Sequence, residues 1–220
     1  RLRTVTGVQT CALPIYSRTN AGADRISTYS KMFTFAREGD RAFVILASGN
    51  LATTQSVITR IKSDIKQGSR PNLMTVEGID EAAEYIGKIS SSQQQKHVNA
   101  VAGSGVDTSA SFILGGQVAD RPHRIYLIYP EGNFIKEIGR ASCREAENPY
   151  QQIGEIKYGK PILDRIITRE TSLEEAALAG LVSMDSTMRS NATVGPPVDV
   201  LIYEMGSHNL SRHFTLQADD

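Results

Sequence analysis

The chain has 220 residues, enough to bury a sizeable core in one large domain or two small ones. Its 24 basic side chains balance its 24 acidic ones, which excludes the strongly basic surface that binds nucleic acid or an anionic membrane. Because it has 40% hydrophobic residues, only two cysteines, and no apolar run suited to a signal peptide or a membrane span, we expect a soluble, cytoplasmic, globular protein.

Strand and helix patterns follow one another along the chain. In chain order, they predict strands at 31–35 and 42–47, helices at 50–68 and 79–101, strands at 111–114 and 124–129, a short helix after Pro161, a helix at 173–184 and a strand at 198–203. The strands are apolar nearly throughout, so both faces of their sheets are expected to be covered. This pattern favours one layered α+β domain.

The predicted helices have clear ends and apolar stripes. Asn50 is suited to begin the first helix and Gly68 to end it, and Ser172 with Glu175 forms a capping box before the last one. The residues expected to face the core are Leu51, Thr54, Ile58, Ile61 and Ile65; then Ala82, Ala83, Ile86, Ile89, Val98 and Val101; and finally Leu173, Ala177, Leu178, Leu181 and Val182.

Three positions have residues suited to chemistry. Lys31 directly precedes a predicted strand, where a buried ammonium would lower the pKa of a neighbour; an exposed strand-end lysine is the alternative. Gly49 joins a buried strand to a helix, so the backbone N–H groups there are suited to bind an oxyanion. The alternative is that the same residues form only a tight strand-to-helix turn. Asp185 lies in a segment of hydroxyls and charges, 183–191, that is either a polar site or a solvated loop.

No pattern typical of a metal or cofactor site is present, and we expect neither group. The histidines do not pair with one another or with cysteines at ligand spacing; they are His97, His123, His208 and His213. Gly103-Ser-Gly105 lacks the Lys-Ser/Thr that completes a phosphate-binding loop, so a turn is the simpler interpretation and a small-molecule-binding domain the remote one.

A series of segments has the order and spacing of one known family. They are Ser17-Arg-Thr-Asn-Ala-Gly22, Ile26-Ser-Thr-Tyr29, Lys31-Met32, Ser48-Gly-Asn-Leu-Ala-Thr-Thr-Gln55, Tyr129-Pro-Glu-Gly-Asn-Phe134, Gln152-Ile-Gly-Glu155, Lys157-Tyr-Gly-Lys-Pro-Ile-Leu-Asp-Arg165 and Ser183-Met-Asp-Ser-Thr-Met-Arg-Ser-Asn191. Together they resemble the bacterial proteasome-type peptidases called Anbu (ancestral β-subunit), which are N-terminal nucleophile hydrolases. The resemblance implies a single domain over 1–220 with a four-layer αββα sandwich.

The resemblance also implies a threonine-type endopeptidase. In the family, the hydroxyl of an N-terminal threonine attacks the peptide bond and its own α-amine serves as base. Lys31 matches the active-site lysine, Gly49 matches the residue that donates the oxyanion-hole N–H, and Asp185 matches the acid that supports the amine. The positions that match the specificity pocket are small or apolar, which suits an apolar substrate side chain; they are Thr19, Ala47 and Leu51.

Two stretches depart from the family pattern. Residues 1–16 carry no threonine at the first position, and Tyr16 stands where the family has a catalytic aspartate. These residues and a second stretch at about 138–145 both resemble translated sequencing-adapter sequence. We therefore interpret both stretches as non-native and expect the chain as written to be inactive.

The partners follow from the resemblance. We expect a peptide or unfolded protein as substrate, self-assembly into a ring or spiral homo-oligomer, and no nucleic-acid or membrane partner. A non-catalytic, proteasome-like subunit with a role in assembly is the alternative function.

Overall fold

The computed structural model describes residues 11–12, 30–100, 106–136, 150–168, 170–192 and 194–217. Its strands are β1 (Cys11–Ala12), β2 (Met32–Arg37), β3 (Arg41–Gly49), β4 (Ala110–Val118), β5 (Arg124–Ile128), β6 (Phe134–Lys136), β7 (Val198–Ile202) and β8 (His213–Leu216). Its helices are α1 (Leu51–Gln67), α2 (Ile79–Ala100), α3 (Lys160–Ile166) and α4 (Leu173–Ser190). The mixture of helices and antiparallel sheets is an α+β fold, as predicted.

The larger sheet has five antiparallel strands in the order β2-β3-β4-β5-β6. Its central part is β3, in which residues 41–47 are all buried, so both faces of this strand are covered. Val44 and Phe43 belong to different hydrophobic clusters, because successive side chains of a strand point to opposite faces.

The smaller sheet has three strands in the order β1-β7-β8, and both pairings are antiparallel. All five residues of β7 are buried, whereas β8 at the edge is largely exposed. The alternating β7 side chains divide between two clusters: Leu201 packs with Val44 and Met32 of the larger sheet, and Val200 packs with Met184 of α4. The β7 strand therefore links the larger sheet to α4.

Capping interactions hold the ends of two helices. Asn50 Oδ1 accepts a hydrogen bond from Thr53 N at 3.1 Å, and Gly68 ends α1 with a left-handed φ of 67°. At α4, Ser172 and Glu175 form the predicted capping box. In both helices, local sequence determines where the helix begins.

Most predicted elements are confirmed, but three predictions of side-chain environment are wrong. Val98 is 49% exposed, Leu178 is 64% exposed and Val182 is 47% exposed, although all three were expected to face the core. In α4 the buried face instead carries small and flexible residues, including Ala179, Ser183 and Met184. The spacing rule located the helix correctly, and Leu173, Ala177 and Leu181 pack against the core cluster that contains Met184, but Leu178 and Val182 lie outside the packed face.

The structure also adds elements that the sequence patterns did not predict. The short strands β1, β6 and β8 were not expected, and α4 continues six residues past Met184 to Ser190. Within the described part of the chain, no helix combines the length and the apolar character needed to cross a membrane. The turn predicted at Gly103-Ser-Gly105 and both stretches interpreted as non-native, apart from Cys11–Ala12, lie outside the described residues.

Candidate functional site

Lys31 lies at the start of β2, directly beside the end of β3. Its carbonyl oxygen accepts a hydrogen bond from Ala47 N at 2.9 Å, which extends the ladder that pairs Met32 with Leu46. Only 8% of Lys31 is exposed, and this burial lowers the pKa of its ammonium below the ordinary value for lysine. The structure thus places a buried lysine at this position rather than an exposed one.

Gly49 ends β3 in a conformation that favours glycine. Its φ is +103°, and a Cβ at this position would overlap the carbonyl oxygen of Ser109 and lie 3.0 Å from Ala110 Cα. Because the obstruction is the backbone of Ser109 and of Ala110, the first residue of β4, a larger residue could not be accommodated by a side-chain rotation. Glycine is therefore required by both the dihedral angle and the contact.

A short segment before β4 lies against the junction between β3 and α1. Asn50 N donates to Ser109 O at 2.8 Å, and Asn50 Nδ2 donates to Asp107 O at 2.9 Å. The Asp107 carboxylate accepts from Ser109 N at 2.8 Å and from Ser109 Oγ at 3.0 Å, and these bonds lower the pKa of that carboxyl group. The segment 107–109 thus positions the backbone that faces Gly49.

Sequence reasoning missed Asp107 and Ser109. The pattern Asp-x-Ser is typical of an Asx turn, in which the carboxylate accepts from the backbone two residues later. That pattern predicts the local turn, but only the tertiary structure shows that the turn packs against Gly49.

Two of the three residues predicted to line the specificity pocket are among the described residues. Ala47 is buried on β3, and Leu51 is half-buried at the start of α1. Both flank Ser48 and Gly49 at the end of β3, so the structure brings them together with Lys31 and Gly49 at one end of the β2–β3 pair. Thr19, the third predicted pocket residue, lies outside the described residues.

Asp185 lies on α4. Its side chain is 56% exposed and forms an ion pair with Arg189, whose Nε is 2.8 Å from Asp185 Oδ2. Met184 and Thr187, which flank it in the same helix, are buried. Its predicted role in the site stays a prediction.

A loop at 150–159 packs against the end of β3. A Cβ on Gly154 would lie 3.0 Å from Ser48 Oγ, and the φ of Gly154 is +86°. Ile153, the preceding residue, packs against the cluster that contains Met32 and Leu46. The loop therefore borders the same end of the strand pair that carries Lys31 and Gly49.

No metal centre is evident in the part of the chain that the structure describes. No three His, Cys, Asp or Glu side chains among these residues are grouped closely enough to hold a metal ion.

The chain is similar to several solved structures. Anbu (ancestral β-subunit) from Yersinia bercovieri is 38% identical with a TM-score of 0.84, over 96% of this chain and 85% of that one. The helical assembly of the Anbu complex from Pseudomonas aeruginosa is 42% identical with a TM-score of 0.83, over 93% and 81%. Anbu from Hyphomicrobium sp. strain MC1 is 39% identical with a TM-score of 0.78, over 93% and 82%. No family model and no curated protein matches the chain.

Proposed function

The chain belongs to the Anbu (ancestral β-subunit) family of proteasome-like proteins, and on this premise we propose that it is a subunit of a threonine-type endopeptidase. The observation that carries the proposal is the placement of buried Lys31 directly across the ladder from Ala47, two residues before Gly49. A cation and a backbone oxyanion site at one strand end are the two groups that acyl transfer by an N-terminal nucleophile needs.

In the proposed reaction, an N-terminal threonine supplies the nucleophile. Its hydroxyl proton passes to its α-amine while Oγ bonds to the peptide carbonyl carbon, and the Gly49 N–H stabilises the oxyanion. The C–N bond then breaks, the ammonium gives its proton to the leaving amine, and an ester remains on Oγ. Water adds to the ester, the amine takes the water's proton, and that proton returns to Oγ as the acid leaves. One peptide bond and one water become one amine and one acid.

Lys31 is proposed to tune this proton transfer. An α-amine has a pKa near 8, so a modest environmental change is enough to make it a base at neutral pH. A lysine ammonium beside the amine and hydroxyl favours their deprotonated forms. The buried position of Lys31 supports this role, because little water screens a charge there.

The proposed fold is the four-layer αββα sandwich of N-terminal nucleophile hydrolases. The three hydrophobic clusters support this arrangement. One contains residues of α1, α2 and the larger sheet; the second contains residues of the larger sheet and β7; and the third contains residues of β7 and α4. We propose that the chain forms a single domain with this fold. We also propose that it works in the cytoplasm on peptides or unfolded proteins.

The test uses a threonine-initiated variant, in which a strand segment that begins with threonine replaces residues 1–16. Its mature N-terminus is verified by mass spectrometry, and hydrolysis of fluorogenic peptides with apolar residues is measured. We expect cleavage that Lys31→Ala abolishes, whereas Lys62→Ala, which removes an exposed lysine of α1, retains it. A folded variant that cleaves no peptide, or one that still cleaves after Lys31→Ala, would refute the proposal.

The alternative is a non-catalytic subunit with a role in assembly. It is the function expected if residues 1–16 are native, because Tyr16 then stands where the family pattern has a catalytic aspartate. The same experiment separates the two functions, because a non-catalytic subunit would assemble without cleaving peptide and Lys31→Ala would change nothing that is measured.

Self-assembly is proposed in either case. The Pseudomonas aeruginosa relative forms a helical assembly. On this chain, Leu178 and Val182 lie one turn apart on α4 and are 64% and 47% exposed, a pair of apolar side chains suited to contact a second copy. We expect Leu178→Glu to reduce the mass measured by light scattering after gel filtration, while Val98→Glu on α2 leaves it unchanged. Equal effects of both changes would contradict this surface.

A further inference from the structure

A groove lies between α1 and α2, the two helices that pack on the larger sheet. Tyr85 bonds to Asp64 and His97 bonds to Thr53, so the two helices run antiparallel and side by side. Residues 69–71, in the segment that joins the helices, border one end of the groove. Its volume is about 420 Å³, and every residue that lines it belongs to the described part of the chain.

The groove is long and partly open. On α2 its lining extends from Glu81 to Lys96, which is about 22 Å of helix at 1.5 Å per residue. An extended peptide advances about 3.3–3.6 Å per residue, so about six or seven residues cover this length. A segment of polypeptide therefore fits the shape of the groove better than a compact small molecule does.

The deeper part of the groove is apolar and its rim is charged. Tyr85 is 7% exposed and Ile89 is half-buried, whereas Arg70 and Lys96 are exposed. Successive side chains of an extended peptide point to opposite sides. Alternate apolar side chains of such a peptide would contact Ile89 and Tyr85, and the side chains between them would lie near the charged rim.

A buried carboxylate holds one cation of the groove in place. Asp64 Oδ1 accepts from Arg60 Nε at 2.8 Å, and Asp64 Oδ2 accepts from the hydroxyl of Tyr85 at 2.8 Å. Burial and the bond to Asp64 raise the pKa of Tyr85, so its hydroxyl remains a donor. The bond to Asp64 uses one of the five N–H groups of the Arg60 guanidinium, and the other four are suited to bind an anion.

The other charges of the groove leave cations in excess. Within the part of the chain that the structure describes, neither Arg70 nor Lys96 forms an ion pair. Lys88 pairs with Glu84 at 2.6 Å, but both are exposed, so this pair contributes little. Glu81 already accepts a hydrogen bond from a backbone N–H at 2.7 Å. The groups still able to bind a charged partner are therefore mainly basic.

We propose that the groove between α1 and α2 binds an extended acidic peptide segment of a partner protein, with Arg60, Arg70 and Lys96 donating to its carboxylates. A nucleic acid fits less well, because Glu81 and Glu84 on the same groove repel a continuous phosphate backbone. A peptide can place its carboxylates beside the cations alone. The inference goes beyond the proposed peptidase function and does not depend on cleavage.

The test is direct binding of defined peptides to the full chain. The probe is a fluorescein-labelled peptide of about seven residues in which glutamate and leucine alternate, and the control peptide has glutamine in place of glutamate. Fluorescence anisotropy gives Kd for each peptide. We expect the glutamate peptide to bind about ten-fold more tightly than the glutamine peptide, with a difference that decreases as salt is added.

Three variants locate the binding site. Arg70→Gln and Lys96→Gln remove cations of the groove, and each is expected to weaken binding of the glutamate peptide about three- to five-fold. Lys62→Gln removes an exposed cation of α1 that does not line the groove, so it should leave Kd unchanged. Thermal unfolding of each variant confirms that the fold is retained.

Four results would overturn the inference. They are equal binding of the glutamate and glutamine peptides, equal effects of Lys62→Gln and Lys96→Gln, tighter binding of a labelled single-stranded oligonucleotide than of the glutamate peptide, and self-association without peptide binding. In the last case, light scattering would show a mass that increases with protein concentration and that Arg70→Gln and Lys96→Gln lower. The groove would then be a contact between copies of this chain.

Discussion

Substitution of Gly49 by alanine tests how the end of β3 is built. The φ of Gly49, +103°, is outside the region that alanine adopts readily, and such strain costs about 1–3 kcal/mol. The new Cβ would also overlap the carbonyl oxygen of Ser109. That carbonyl cannot easily move, because it accepts from Asn50 N at 2.8 Å and its residue is bonded to Asp107. We therefore expect a loss of roughly 3 kcal/mol in the free energy of unfolding, at the upper end of the range for strain alone.

Gly39 provides the matched control. It also has a positive φ, +71°, but a Cβ there would meet no heavy atom within 4 Å. Gly39→Ala is therefore expected to lose about 1 kcal/mol, from the dihedral angle alone. For a chain of this size each kcal/mol lowers Tm by about 2–4 °C, so the two variants should differ by about 4–8 °C in thermal unfolding. Equal losses in the two variants would refute the argument that Ser109 makes Gly49 indispensable.

Three further predictions concern stability. Lys31→Met should raise the free energy of unfolding, and the gain should be largest at neutral pH, because the parent protein regains stability only as pH rises through the lowered pKa of Lys31 towards its value in the unfolded chain. Urea unfolding at several pH values should therefore show the difference in unfolding free energy between variant and parent decrease as pH rises; a difference that is constant with pH would contradict this. Tyr85→Phe should lower the free energy of unfolding by about 1.5–3 kcal/mol, because the buried hydroxyl of Tyr85 donates to Asp64 Oδ2 at 2.8 Å. A loss smaller than that caused by the same change at an exposed tyrosine would be inconsistent with this role of the hydroxyl. Ser172→Ala should lower the free energy of unfolding by about 1 kcal/mol, as measured by thermal unfolding. This loss should become smaller as pH falls through the lowered pKa of Glu175, and a loss that does not change over the acidic pH range would exclude the capping-box explanation.

Helix positions could be predicted well because their causes are local. Asn50 and Gly68 mark the ends of α1 through interactions within one turn, and the structure has both. The exposed side chains of Leu178 and Val182 could not be foreseen, since apolar residues at helical spacing fit a core and a subunit contact equally well. The short strands β6 and β8 were missed because three or four residues carry too little pattern to separate them from loops.

The candidate site was predicted in part. The sequence pointed to Lys31, Ala47, Gly49 and Leu51, and the structure places them together at one end of the β2–β3 pair. It could not distinguish a buried lysine from an exposed one, because burial depends on the elements that pack over the strand.

By itself, then, the sequence determined the α+β composition, the boundaries of α1 and the resemblance to one family, because capping, periodicity and motif spacing act between residues close in the chain. Only the tertiary structure decided that the Ser109 carbonyl lies against Gly49 and that Gly154 lies against Ser48. It also decided that Glu155 bonds to Asn191 while Asp185 faces solvent. Contacts between residues distant in sequence depend on how strands pair and layers pack, and the free energy of that packing is summed over the whole chain.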